Sequence, residues 1–346
     1  MKFGILVSRK LIDRTSHDPY RKVYDYLNEM EYLGYDIAYV GQHRFSAVTA
    51  FGGDTASEPS APLIMLSAML ARTSRMKMCT NIMLLPAHHP LEIAEEINTL
   101  NELSNNRFIL GAGIGYKPDE FENVGWNFKT RAKRFEECLE ILRLALTGEK
   151  FSYSGKHFNI PACIVVPPPL AGAKMPLWIG AVSEPGMQRA GRLGDGWLVS
   201  FAEHLVELQE KVGRYKAIAA EHGRPSTICL MRDLHIAPTR EALDPNWLPN
   251  MIKVWQDYRD VGSKAARDEV SNDVIFGGKS VSLEEFVPNR AIVGTPEDCI
   301  RELQRVKELI NPEYVLMTPT GVPDADQHTK ELRLFAKEVM PLFRKS

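Results

Sequence analysis

MKMCTNIMLLPAHHPLEIAEEINTLNELSNNRFILGAGI, residues 76–114, reads as strand, turn, helix and strand in succession. Met76–Leu85 is an apolar run with Thr80 and Asn81 set inside it. Pro86 and then His88-His89-Pro90 stop the run, because proline removes a ladder donor and fixes φ. From Leu91 the apolar residues recur at Ile93, Ala94, Ile97, Leu100 and Leu103, the spacing of an amphipathic helix. Asn105-Asn106 turns the chain into a second buried strand, Arg107–Ala112, which Gly113 and Gly115 close. Strand, helix and strand in so short a span form a βαβ unit, so the sheet is parallel. Polar residues in one strand and glycines closing the next fall at carboxyl ends, where α/β folds bind ligands.

The same alternation continues on both sides. Phe3–Val7 and Ile37–Gly41 read as the first two strands, separated by a helix from Pro19 to Leu33 that Gly34 caps. Pro62–Arg72 is the second helix. The loop between, Ser46–Ser60, is long for a βα connection and so expected to be functional. Thr130–Thr147 is an amphipathic helix whose Arg131, Arg134, Glu137 and Glu140 can pair along its surface. Phe151–Ile160 alternates around Ser154-Gly155-Lys156 like a hairpin, and Pro167-Pro168-Pro169 follows. This is read as an insertion after the fourth helix. Strands resume at Leu177–Ala181, Gly196–Phe201, Ile228–Ala237 and Glu313–Met317, with helices at Pro185–Leu193, Ala202–His222, Glu241–Val261 and Gln327–Phe343. Thr295 caps a further helix that Pro296 begins. Polar Gly262–Arg290 is read as a mobile insertion or lid. Eight strands alternating with helices predict a single (β/α)8 barrel over residues 1–346, with insertions at about 150–175 and 262–290.

Composition narrows the function classes. Lys+Arg 42 against Asp+Glu 44 gives a net charge of −2, with no long run of one sign, so nucleic acid and anionic membrane are not expected partners. Cys79, Cys138, Cys163, Cys229 and Cys299 are scattered without a CxxC pair, the usage of a reducing cytosol. No apolar run reaches the ~18 residues of a membrane helix. A cytoplasmic protein is expected.

Several residues can carry chemistry. His43, between Gln42 and Arg44 just past the second strand, is either a catalytic group or a loop histidine bonded to backbone. Asn81-Ile82 places an amide inside an apolar strand, to bond its own backbone or a ligand. His88-His89 is no metal pair, since adjacent histidines do not face one ion and no carboxylate follows at ligand spacing; a place under the helix start is expected. Gly111–Gly115 lacks GxGxxG spacing, yet Gly113 permits close approach of a flat ligand to backbone. Val182, Ser183 and Gly186 form a strand-to-helix turn that is either an anion site at a helix N-terminus or an ordinary serine cap. His235, with Arg232 and Asp233 at the end of the seventh strand, is a second candidate proton-transfer group, or else a wall histidine bonded to Asp233.

Taken together these segments resemble the bacterial luciferase-like flavin-dependent monooxygenases. The telling stretches are Val40–Phe45, Leu85–Pro90, Arg107–Gly115, Arg131–Gly148 and Gly180–Trp197, in order over the first 200 residues, with weaker likeness at Ala291–Glu297 and Tyr314–Met317. The family fold is a (β/α)8 barrel that binds reduced flavin mononucleotide (FMN), or in one branch a reduced deazaflavin, at the carboxyl ends of its strands. Its second-strand motif reads Glu-His-His-Phe with the first histidine catalytic. His43 matches that histidine, whereas Gln42 and Arg44 depart from the motif. The resemblance implies a non-prolyl cis peptide under the flavin at Asn81-Ile82, a phosphate contact at Ser183 with Val182 and Gly186 beside it, and Ile114 where the luciferases place a phosphate-binding arginine. It further implies a separate NAD(P)H-dependent flavin reductase, a 4a-peroxide formed with O2, oxygen transfer to a small organic substrate, and a homodimer. The alternatives are deazaflavin-dependent hydride transfer, for which the only basic residues near Gly180–Gly186 are Lys174 and Arg189, a non-catalytic flavin-binding protein, and a barrel isomerase holding a phosphorylated substrate at Ser183.

Overall fold

The computed structural model describes residues 1–45, 61–171, 174–201, 203–260 and 268–344. The long loop expected to be functional at Ser46–Ser60 lies outside the described residues, as does the start of the second insertion. In chain order the elements are β1 (Lys2–Leu6), α1 (Arg21–Leu33), β2 (Ile37–Val40), α2 (Pro62–Leu70), β3 (Lys77–Thr80), β4 (Met83–Leu84), α3 (Pro90–Ser104) and β5 (Phe108–Gly113). A short α4 (Asp119–Glu122) and α5 (Arg131–Ala145) precede the hairpin β6 (Phe151–Ser154) and β7 (Asn159–Cys163). Then come β8 (Leu177–Ala181), α6 (Glu184–Leu193), β9 (Gly196–Val199), α7 (Leu205–Glu221) and β10 (Thr227–Ile236). Helices α8 (Trp247–Asp260), α9 (Glu269–Ile275) and α10 (Leu283–Phe286) lead to β11 (Ala291–Gly294), α11 (Pro296–Leu309), β12 (Tyr314–Thr318) and α12 (Ala325–Glu338).

Strands β1, β2, β3, β5, β8, β9, β10 and β12 pair in parallel and close on themselves, β10 bonding both β9 and β12 and β12 bonding β1. This is the expected (β/α)8 barrel. Its interior is filled by Ile37, Tyr39, Cys79, Ile109, Trp178, Leu198, Cys229, Tyr314 and Leu316. Alternate residues of the same strands, such as Phe108, Leu110, Ile179 and Leu230, face outward to the helices, as the two-residue period of a strand requires.

Four departures from the sequence expectations matter. The third strand is not one run: it breaks at Asn81-Ile82, a non-prolyl cis peptide, and β4 then pairs with Ala112 and Gly113. A further strand, β11, lies along Asp233–Ile236 of β10. Arg131, Arg134, Glu137 and Glu140 of α5 take partners off the helix instead of pairing along it, where Lys133 and Glu136 do pair at 3.5 Å. Glu137 accepts the backbone N–H groups of Lys156, His157 and Phe158 at 3.0, 2.9 and 3.1 Å, and Arg134 is buried, donating to Pro86 O at 2.7 Å. The described part of the second insertion is packed rather than loose. Its Val274, Ile275 and Phe286 join Trp247, Met251 and Trp255 of the preceding α8 in a second core, and the buried Arg290 guanidinium pairs with Asp268. Its polar composition hid this, because its buried apolar residues are few and fall on two short helices, α9 and α10. No described helix is long and apolar enough to cross a membrane.

Candidate functional site

The end of β2 delivers Gln42, His43 and Arg44 to the carboxyl rim. Gln42 is buried and its Oε1 accepts the Leu84 N–H at 2.9 Å, tying β2 to β4. Its amide also meets His88 Nε2 at 3.3 Å. Burial, and then the charge of Arg44, push His88 down to about 3, so that ring is neutral. His89 accepts the Leu91 N–H through Nδ1 at 3.3 Å and caps α3, the structural place expected for this pair.

His43 has a partner the sequence did not disclose. Its Nδ1 lies 3.1 Å from Oε1 of Glu120 on α4, and the same oxygen accepts the Arg44 N–H at 2.8 Å. The Glu120 side chain is fully buried and its Oε2 has no hydrogen-bond partner among the described residues, while the His43 side chain keeps 15% of its surface exposed. Tyr116 packs edge-on to the imidazole at 5.9 Å between centroids. Glu120 was hidden because Pro118-Asp119-Glu120 reads as the acidic first turn of a helix, and nothing local reports a contact 77 residues away. A carboxylate therefore stands against His43 from α4 where the family motif puts one beside it in sequence.

The cis unit forms a floor at the mouth. Ile82 lies in the space that side chains on Gly113 and Gly180 would take. A Cβ on Gly113 would come within 2.0 Å of Ile82 Cδ1, and one on Gly180 within 2.7 Å of Ile82 Cγ2. These glycines thus admit a side chain of the protein itself, a physical reason for Gly113 different from the ligand approach expected. Asn81 donates through Nδ2 to Met231 Sδ at 3.1 Å on the opposite strand β10. Leu6, Asn81, Ile82 and Met231 are all partly exposed, so the mouth is open at this level.

At the end of β8, Ser183 caps α6, its Oγ accepting the Gly186 N–H at 3.3 Å. Val182 and Ser183 are exposed. Glu184, the acid of the first turn, is drawn aside by Arg214 at 2.9 Å, which leaves the positive end of the helix dipole uncancelled. Arg189 is paired with Glu136 at 3.1 Å.

His235 is not brought to this cluster. Its Nδ1 meets Glu331 of α12 at 3.0 Å, its Nε2 accepts the Asp244 N–H at 3.0 Å, and Trp247 stacks on the ring at 5.5 Å and 8°. With both nitrogens engaged and the residue 2% exposed, it holds β10 against α12 and the start of α8 and is not brought to the rim as the second proton-transfer group expected. Nor is it bonded to Asp233, which instead accepts from Thr318. Burial raises the Asp233 carboxyl to about 6, with the Thr318 and Thr320 hydroxyls opposing the shift.

The chain is similar to known proteins. The family model described as luciferase-like monooxygenase matches residues 1–310. The 4-hydroxyprotoasukamycin monooxygenase of Streptomyces nodosus subsp. asukaensis is 27% identical over 336 residues, 92% of this chain and 85% of its own. The oxygenating constituent of 3,6-diketocamphane monooxygenase from Pseudomonas putida, solved with FMN, superposes with a TM-score of 0.74 at 18% identity over 99% of this chain and 98% of its own. An F420-dependent secondary alcohol dehydrogenase, solved with an F420–acetone adduct, superposes with a TM-score of 0.75 at 17% identity over 99% of each chain. The structural likenesses carry the fold; the match over residues 1–310 carries the family. This chain belongs to the luciferase-like monooxygenase family.

Proposed function

We propose that this protein is the oxygenating component of a two-component monooxygenase, an oxidoreductase that uses reduced FMN and O2 to place one oxygen atom on a small organic substrate. A separate NAD(P)H-dependent reductase would supply the reduced flavin, and a cytoplasmic homodimer is the expected form. The observation that carries the reading is the partly exposed His43 imidazole backed by buried Glu120, on the same barrel rim as the Ile82 floor.

The residues present fit a flavin. The apolar floor of Ile82, with Leu6 and Met231 partly exposed beside it, suits a planar ring system, and the capped start of α6 suits a phosphate through Ser183 and backbone N–H groups. With Ile114 at the position where the luciferases carry arginine, the helix end has to supply that charge complement. When bound, reduced FMN supplies the two electrons that send one atom of O2 to the substrate and the other to water. The chain's own part is to keep the mouth dry and to manage a proton. The second core carries Trp255 onto Phe201, with ring centroids 5.5 Å apart, and so roofs one side of the mouth. His43 exchanges a proton through the nitrogen not held by Glu120.

Deazaflavin-dependent hydride transfer is the second reading, favoured by the F420-dependent dehydrogenase likeness. Against it stands Arg189, whose charge is committed to Glu136 and so does not serve an anionic cofactor tail. The test is His43→Ala. Reduced FMN should bind within about twofold of wild type while turnover falls ~10²-fold, the ordinary weight of general acid–base catalysis. Unchanged turnover would remove His43 from the mechanism.

A further inference from the structure

The contacts around His43 set which of its nitrogens carries the proton. Glu120 Oε1 already accepts the Arg44 backbone N–H at 2.8 Å, the role of an unprotonated oxygen. His43 Nδ1 meets that same atom at 3.1 Å and is therefore the donor of the pair. Nε2 has no hydrogen-bond partner among the described residues, on a side chain 15% exposed. The pair is shielded. Glu120 is fully buried, and Tyr116 covers one edge of the imidazole. The charged and titratable groups facing it are Lys117 from the approach to α4, Arg44 from the β2 side and Tyr116 on the imidazole; Asp119 acts on Lys117, and Arg44 in turn on His88. Arg44 turns its guanidinium to Ala87 O at 2.7 Å, leaving only its backbone on Glu120.

We infer that Glu120 is a positioning residue that keeps a proton on Nδ1 of His43, so that Nε2 is the atom presented to a substrate. With Nδ1 held in this way, His43 exchanges a proton with substrate only at Nε2. The catalytic consequence rests on the function proposed for His43, but the tautomer does not. Arg44 also makes the assignment robust to loss of charge. A glutamine at 120 can keep its amide oxygen on both N–H donors, whereas a flip would turn its NH2 against both.

The test is 15N NMR of protein labelled at its nine histidines, at a pH above the ordinary histidine range, with His43→Asn used for assignment. Wild type and Glu120→Gln should show His43 with a proton-bearing Nδ1 and a bare Nε2. Glu120→Ala should move population to the Nε2–H form and lower turnover by ~10²-fold at unchanged flavin affinity. A wild-type ring protonated on Nε2, or a Glu120→Ala pattern identical to wild type, overturns the inference. Should Glu120→Ala not fold, wild type and Glu120→Gln decide the point. If the tautomer moves in Glu120→Ala while turnover does not, the inference stands and the catalytic role of His43 falls instead.

Discussion

Replacing Gly113 by alanine sets a new methyl group against Ile82, and the structure says which second change should undo the damage. The added Cβ would lie 2.0 Å from Ile82 Cδ1 and 3.3 Å from Cγ1. The first distance is impossible and the second tolerable. Ile82 has little freedom to swing away, since its Cγ2 already sits 2.7 Å from where a Gly180 Cβ would be. Overpacking of this kind costs ~1–3 kcal/mol. Ile82→Val deletes the Cδ1 atom that clashes, and alone costs about 0.5–1 kcal/mol, the low end for a methylene on a partly exposed side chain. If the clash is the whole cost, the double variant loses no more than about 1 kcal/mol, well short of the sum of the singles. The coupling energy is then about 1–2 kcal/mol in the favourable direction. Urea unfolding of the four proteins, with m-values checked for constancy, measures it. Additivity within about 0.5 kcal/mol would show that Gly113 serves some purpose other than housing Ile82.

Other expectations follow from the same geometry. Ser183→Ala should weaken FMN more than riboflavin, because only the phosphate uses the α6 start; equal loss for both in fluorescence titrations would sink the phosphate assignment. Two buried groups should give opposite pH slopes of stability. His328 is 4% exposed, and burial pushes it from 6.5 down to about 3. The unfolded chain therefore takes up a proton that the folded one refuses, and stability falls as pH drops below 6.5, by about 2 kcal/mol at pH 5; His328→Leu should abolish that loss in chemical denaturation at both pH values. Asp233 is raised from 3.8 to about 6, so the folded state holds the proton more tightly and stability falls as pH rises through that window. Full ionisation costs about 3 kcal/mol, and Asp233→Asn, which still accepts from Thr318, should flatten the slope between pH 4 and 6.

The barrel was legible because each of its strands is a local object, an apolar run punctuated by Gly, Pro or Asn, and the period switch from strand to helix recurs along the chain. What escaped was set by contacts distant in sequence. β11 is only Ala291–Gly294, too short to carry a period, and exists because β10 runs beyond the barrel. The second insertion reads as polar because the core residues it contributes, Val274, Ile275 and Phe286, are few and fall on two short helices. At the site, His43, Ile82 and Ser183 were visible as punctuation at strand ends. Glu120 was not, since a first-turn acid on a four-residue helix has a complete local explanation. His235 misled for the converse reason. Its place at a strand end suggested a ligand, and only Glu331 and Trp247, far along the chain, show it to be a packed strut.

Anaerobic titration with reduced FMN and, in parallel, reduced deazaflavin, each complex then mixed with O2, bears most directly on the proposed chemistry. Reduced FMN should bind at least ~10-fold more tightly, a difference of about 1.4 kcal/mol, and its complex should consume O2. Preferential binding of the deazaflavin, in a complex inert to O2, would contradict the monooxygenase reading and make this a hydride-transfer enzyme.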